Sequence, residues 1–191
     1  MYNDPSWGNA GWLTLDTLGM LPIIPSVGGW VRRGPEAVKI TNQARKLVSK
    51  HGVDLAIEFT HVAHKPGAET LLKKLISSAK PTAKGALFEL EYARKFTDKI
   101  VEIGRSEPGV FEIDFVLEGN VFVNTKSYNW DSEYYSLPWA IPDEIEDFLG
   151  QVERYREYGE ATEVRYVFKE SVPDVVREAL EAADVIVEII Q

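Results

Sequence analysis

The chain contains no cysteine. Disulfide frameworks and cysteine-based zinc sites are therefore excluded. Histidine is almost as scarce: His51, His61 and His64 are the only three, all in the first third. A histidine-based centre in the C-terminal half is excluded with them. His61 and His64 have a spacing that could hold a metal, but no third ligand accompanies them. Long apolar runs are missing too. The most apolar stretch, Trp12 to Val31, carries Asp16, Pro22, Pro25 and Gly28-Gly29, a poor composition for a spanning helix of about 20 residues. It also lacks the basic start and cleavage site of a signal peptide. No membrane span is expected, and any export would be directed by something outside this chain.

What is present suits a packed core. The 191 residues are 45% apolar and include five Trp, eight Tyr and eight Phe. That argues against disorder and for one domain with an N-terminal extension. The net charge is −9, against a broad nucleic-acid-coating surface. It is unevenly spread. Residues 1–80 carry 10 basic and 6 acidic side chains (+4), residues 81–142 carry 6 and 10 (−4), and residues 143–191 carry 5 and 14 (−9). The first part can meet phosphate or an anionic surface; the tail cannot.

The pattern changes near Pro81. Before it, a short helix is expected near 12–20. Helical stripes follow: Ile40, Ala44, Leu47 and Val48, ended by Gly52; then Leu55, Phe59 and Val62, stopped by Pro66-Gly67; then Ala68, Leu71, Leu72, Leu75 and Ile76. Residues 1–80 are thus expected to form an N-terminal helical region and 81–191 a second domain. That second part begins with a helix over 82–98 and a strand over 99–105. VFEIDFVLE (110–118) then alternates with period two, and NVFVNTKS (120–127) follows a turn at Gly119. A helix over 143–158, the strand EVRYVFKE, the helix VPDVVREALEAA and the strand DVIVEII complete the order α-β-β-β-α-β-α-β.

Glu89 is the first residue out of pattern. Ala86, Ala93 and Phe96 place it on an apolar stripe, where a carboxylate is costly unless paired, hydrogen-bonded or metal-bound. The bland reading is a surface Glu, because Glu91 and Arg94 mark a wet side nearby. Asp114 is the second, inside a strand whose other face is wholly apolar; the bland reading there is the outward face of a hairpin. Hairpin register links these residues. With a three-residue loop over Glu118, Gly119 and Asn120, paired numbers sum to 238. Asp114 then lies opposite Asn124, and Glu112 opposite Lys126, all on one face. A two-residue turn would split the group. Oxygen ligands of this kind suit Mg²⁺ or Mn²⁺, and with a lysine beside them they suit phosphodiester cleavage.

These motifs together resemble the PD-(D/E)xK nuclease superfamily. The resemblance rests on Lys84-Gly85 through Glu89 to Ala93 on a helix, Ile113-Asp114 on a strand, Asn124-Thr125-Lys126 on the next, and Gln151 with Tyr155 on a following helix. The last pair is similar to the helical motif of the RecB-type branch. The resemblance covers about residues 82–191. It implies a restriction-endonuclease-like αβββαβαβ core of α/β class and an Mg²⁺- or Mn²⁺-dependent endonuclease, DNA being favoured over RNA. Glu89 and Asp114 would be metal ligands and Lys126 the catalytic lysine. Gln151 and Tyr155 would face the substrate or the site. One departure stands out. Asn124 takes the place of the family's acid, so the metal set is expected to be Glu89, Asp114, Asn124 and Glu112, with Glu112 supplying the missing carboxylate. The aromatic loop after Lys126, with Tyr128 and Trp130, is a candidate base-stacking platform. The run from Leu15 to Trp30 is similar to the apolar segment preceding toxin domains in bacterial polymorphic toxins. That implies delivery by a larger carrier into a target-cell cytoplasm and a cognate immunity protein as partner. Two other readings remain at this stage: a catalytically impaired relative that binds nucleic acid or a protein, and an acidic immunity-type partner protein.

Overall fold

The computed structural model describes residues 43, 45–77, 80–106, 112–157 and 159–190. The expected helix near 12–20 and the apolar segment from Leu15 to Trp30 lie outside them. The chain divides between Thr60 and His61 into two units.

In the first unit, residues 45–51 are helical. The Gly52 amide donates back to the Val48 carbonyl at 2.8 Å, and Gly52 takes a φ of 90°, so the glycine ends the helix as its backbone freedom allows. Helix α1, Val53–Thr60, follows. His61 and His64 stand in the turn after it, so the helical spacing expected of them does not arise.

The second unit is α/β. Helices α2 (Ala68–Ser77) and α3 (Lys80–Lys95) lead into β1 (Ile100–Arg105), β2 (Ile113–Leu117) and β3 (Val121–Lys126). Then come α4 (Ala140–Glu157), β4 (Glu163–Phe168), α5 (Asp174–Ala182) and β5 (Ile186–Ile189). From α3 onward this is the order read from the sequence. Helix α2, placed before the expected 80/81 boundary, belongs to the same unit as the sheet. The five strands lie in sequence order, β1 to β5. The first two pairings are antiparallel and the last two parallel; the parallel neighbours need helical crossovers, which α4 and α5 supply.

The β2–β3 hairpin pairs Leu117 with Val121, Val116 with Phe122, and Phe115 with Val123. These sums are the 238 of the three-residue loop. Neighbours along a strand face opposite ways, so Phe115 and Phe122 lie on opposite faces. Tyr92 of α3 meets Phe115, ring centroids 5.0 Å apart, and Tyr155 of α4 meets Phe122 at 5.7 Å. The sheet is thus covered on both faces, α3 on one and α4 on the other. All five residues of β2 are buried, which is why its sequence is not a clean polar and apolar alternation.

The start of α2 is pressed against β1. The Ile103 amide donates to the Pro66 carbonyl at 2.9 Å, and the Lys65 ammonium donates to the Ile100 carbonyl at 2.8 Å. A Cβ on Gly67 would stand 1.8 Å from the Ile103 carbonyl oxygen, and one on Gly104 would stand 2.6 Å from a Thr70 methyl. Both glycines have positive φ, so each is needed for conformation and for closeness. Among the described residues no helix is long and apolar enough to cross a membrane.

Candidate functional site

The hairpin ladder gives out at Asp114. Its last pair is Phe115 with Val123. One step further the Thr125 amide donates to Asp114 Oδ2 at 2.8 Å, and the Thr125 hydroxyl donates to the same oxygen at 2.9 Å. A side-chain carboxylate thus accepts the backbone donor. Asp114 is 7% exposed, so the outward-face reading does not hold. Its other oxygen, Oδ1, accepts from the Lys74 ammonium at 3.1 Å.

Lys74 is the residue on which the acids converge. Its Nζ lies 2.8 Å from Glu89 Oε2, 2.9 Å from Glu112 Oε1 and 3.1 Å from Asp114 Oδ1. Glu89 comes from α3, Glu112 and Asp114 from the β2 segment, and Lys74 from the last turn of α2. Glu89 is 9% exposed, so the apolar stripe carries it inward. Glu112 Oε1 is buried and has no hydrogen-bond partner; its approach to Lys74 is an ion pair without hydrogen-bond geometry.

The charges do not balance. Three carboxylates face one ammonium. Burial, and then the Asp114 charge, push the Glu89 carboxyl up to about 8, although Lys74 pulls the other way. Burial works against the Lys74 charge, but Asp114 and Glu89 outweigh it and hold the ammonium charged well above the ordinary lysine value.

The other predicted members stand apart from this cluster. Asn124 is 3% exposed. Its amide nitrogen donates to Gln151 Oε1 at 2.8 Å and to the Tyr155 hydroxyl at 2.9 Å. Gln151 Oε1 also accepts from the Tyr166 hydroxyl at 2.5 Å, and the Tyr155 hydroxyl donates to the Glu112 carbonyl at 3.1 Å. Burial pushes both phenols well above their ordinary values. This end of the site is a closed, neutral network, and the Tyr155 bond to the Glu112 backbone joins it to the acids.

Lys126 turns to the aromatics and not to Glu112. Its Nζ lies 5.4 Å from the Phe148 ring centroid and 5.6 Å from that of Tyr166. These are cation–π distances. Tyr166 is on β4, beside β3, and Phe148 on α4. Among the described residues it makes no ion pair. Burial lowers its pKa below the lysine norm, against the pull of Asp114 and Glu144.

Tyr128 and Trp130 pack partly buried against the aromatic core, and the Tyr128 hydroxyl donates to Glu144. Tyr134 and Trp139, in the same loop, are the exposed rings.

The structure thus joins Glu89, Glu112 and Asp114; it joins Asn124, Gln151 and Tyr155; and it sets Lys126 over two rings. Sequence reasoning missed Lys74 and Tyr166. A signal for Lys74 existed: of the two adjacent lysines, Lys74 follows Leu71 by three and so flanks the buried stripe.

The donor set suits a hard cation. Carboxylate oxygens from two elements aim at one point, as Mg²⁺ or Mn²⁺ requires. Among the described residues no three His, Cys, Asp or Glu stand in metal-holding geometry; the acids stand around the Lys74 nitrogen instead. Asn124 has both amide protons engaged, so only its Oδ1 could join such a set. Comparison of the chain with protein-family profiles, curated proteins and solved structures finds no match.

Proposed function

We propose that the chain is a metal-dependent nuclease of the PD-(D/E)xK type, acting on DNA in preference to RNA. The observation that carries this reading is the convergence of Glu89, Glu112 and Asp114 on one point with more negative charge than Lys74 balances. Carboxylates in such excess can hold a further cation. The element order from α3 to β5 supports it, as does Lys126 on β3, whose burial lowers its pKa.

In this reading Glu89, Glu112 and Asp114 hold the ion. A bound Mg²⁺ or Mn²⁺ would polarise the phosphate and lower the pKa of an attacking water. Asp114 gives one oxygen only, because Thr125 occupies the other. Lys126 would oppose charge developing on phosphorus. Gln151, Tyr155 and Tyr166 keep Asn124 in place. Delivery by a larger carrier and neutralisation by a cognate immunity protein belong to the same proposal and rest on the apolar segment from Leu15 to Trp30.

One observation favours a second reading, a relative that binds nucleic acid without cutting it. Asn124 is neutral, and both its amide protons are satisfied internally.

The test is incubation with plasmid DNA and with total RNA, in Mg²⁺, Mn²⁺ or chelator. Cleavage that needs the metal and vanishes in Asp114→Ala is the expected result. Binding without cleavage under every condition selects the second reading. Neither binding nor cleavage rejects both.

A further inference from the structure

We infer that Lys74 is the resting occupant of the carboxylate site, a tethered ammonium that stands where a divalent cation would bind and swings out to admit it. The inference rests on the reading of Glu89, Glu112 and Asp114 as cation ligands and assigns the regulation of that site.

The geometry is direct. The three oxygens lie 2.8, 2.9 and 3.1 Å from one nitrogen. Around Mg²⁺ the same oxygens would close to about 2.1 Å. No ammonium fits among them then, and its charge repels the ion. One occupant excludes the other.

The position of Lys74 suits an occupant that leaves. It comes from α2, outside the element order that begins at α3. Two of the acids are also held without it: Thr125 fixes Asp114, and Tyr155 holds the Glu112 backbone. The side chain is 27% exposed, so the ammonium has a way to water. Its stem has four freely rotating carbons. The helix itself is clamped on β1 through Pro66, Gly67 and Gly104, so the movement is one of the side chain and not of the helix.

The charge count argues against a permanent ion pair. Glu89 keeps its proton near neutral pH, so Glu112 and Asp114 share the one Lys74 ammonium, and Lys126 pairs with neither of them. A divalent cation offsets two and frees the ammonium for solvent. The apparent affinity for the ion falls by the fraction of molecules with Lys74 withdrawn. If that fraction is about a tenth or less, affinity is about tenfold or more below that of the open site.

The experiment uses the full chain and Mn²⁺ as probe. Mn²⁺ binding is followed by electron paramagnetic resonance. In parallel, lysines are acetylated with acetic anhydride, with and without Mn²⁺, and located by mass spectrometry. The inference expects Lys74 labelling to rise several-fold on Mn²⁺ binding while Lys95 stays constant. It also expects Lys74→Met to bind Mn²⁺ about tenfold or more tightly. If Mn²⁺ binds while Lys74 labelling stays constant, the inference fails and the cation site stands. If Mn²⁺ binds neither the parent nor Lys74→Met, the cation site fails, and the inference with it. Should Lys74→Met not fold, labelling of the parent decides alone.

Discussion

Asp114 and Asn124 stand on the two strands of one hairpin, yet their surroundings have opposite character. Asp114 belongs to a charged cluster in which Lys74 answers three acids. Asn124 belongs to a neutral chain of amide and phenol bonds, from Tyr166 through Gln151 to Tyr155. The first region holds unbalanced charge and is open to exchange of its cation. The second is closed, with donors matched to acceptors, and it serves to hold a position. A site that must admit an ion needs the first kind of region. One that must keep its geometry while the ion comes and goes needs the second.

The sharpest way to break the charged half is Asp114→Ala. It removes the acceptor of the Thr125 amide and hydroxyl and one partner of Lys74. We expect a loss of about 3–5 kcal/mol in stability, the scale of a broken buried pair, read by urea unfolding, together with loss of Mn²⁺ binding. A loss under 1 kcal/mol would mean that water already serves these groups.

Lys126→Met separates the two halves from the chemistry. The ammonium over Phe148 and Tyr166 is replaced by an apolar chain of similar length. Stability is expected to hold or rise, metal binding to stay within a few fold, and cleavage to fall by roughly 10²–10³. Cleavage at the parent rate would remove Lys126 from the mechanism.

Asn124→Glu carries charge into the neutral half. The new carboxylate can give no proton to Gln151 or Tyr155, so we expect the metal-free variant to be less stable by about 1–3 kcal/mol. If the position can ligate, Mn²⁺ binds more tightly and restores stability in proportion to its concentration. A variant that Mn²⁺ leaves unchanged shows that the position faces the network alone.

The most gradual effect is one of pH. The Glu89 carboxyl is pushed up to about 8 in the folded chain from an ordinary value near 4.5. The folded state therefore holds a proton that the unfolded state has lost between those values. Stability from this group is complete below about 4.5 and is lost as pH rises to about 8, at a slope of at most about 1.4 kcal/mol per unit. Lys74 stays charged throughout that window and adds no slope. Glu89→Gln should flatten the profile, and so should saturating Mn²⁺, which favours the ionised carboxylate. Unfolding midpoints at pH 5, 6.5 and 8 measure it.

Much of this was legible in the chain. From residue 82 on, alternating and helical stripes gave the element order, because each element must bury one face and its period shows which. The loop Glu118-Gly119-Asn120 gave the hairpin register. Glu89 stood out because its neighbours three and four away are apolar. What escaped was contact between distant elements. Lys74 meets Glu89 across 15 residues and Asp114 across 40, and nothing local in LLKKLIS marks that meeting beyond the flank of its stripe. Lys126 was placed beside Glu112 by counting along a hairpin. That count cannot see the parallel strand β4, which brings Tyr166 to the lysine's other side. Nor does it see the ladder open at Asp114, where Thr125 turns to the carboxylate.

The glycines under α2 give the site an unusual dependence. Gly67 and Gly104 set how closely that helix rides over β1, and so how deep the Lys74 nitrogen reaches among the acids. The charge at the centre is thus tuned by a spacer that carries none. A methyl group at either glycine would lift the ammonium out of register while every acid and base stayed in the sequence. The electrostatics of the centre would shift with no change in its composition, and inspection of the titratable residues alone would not find the cause.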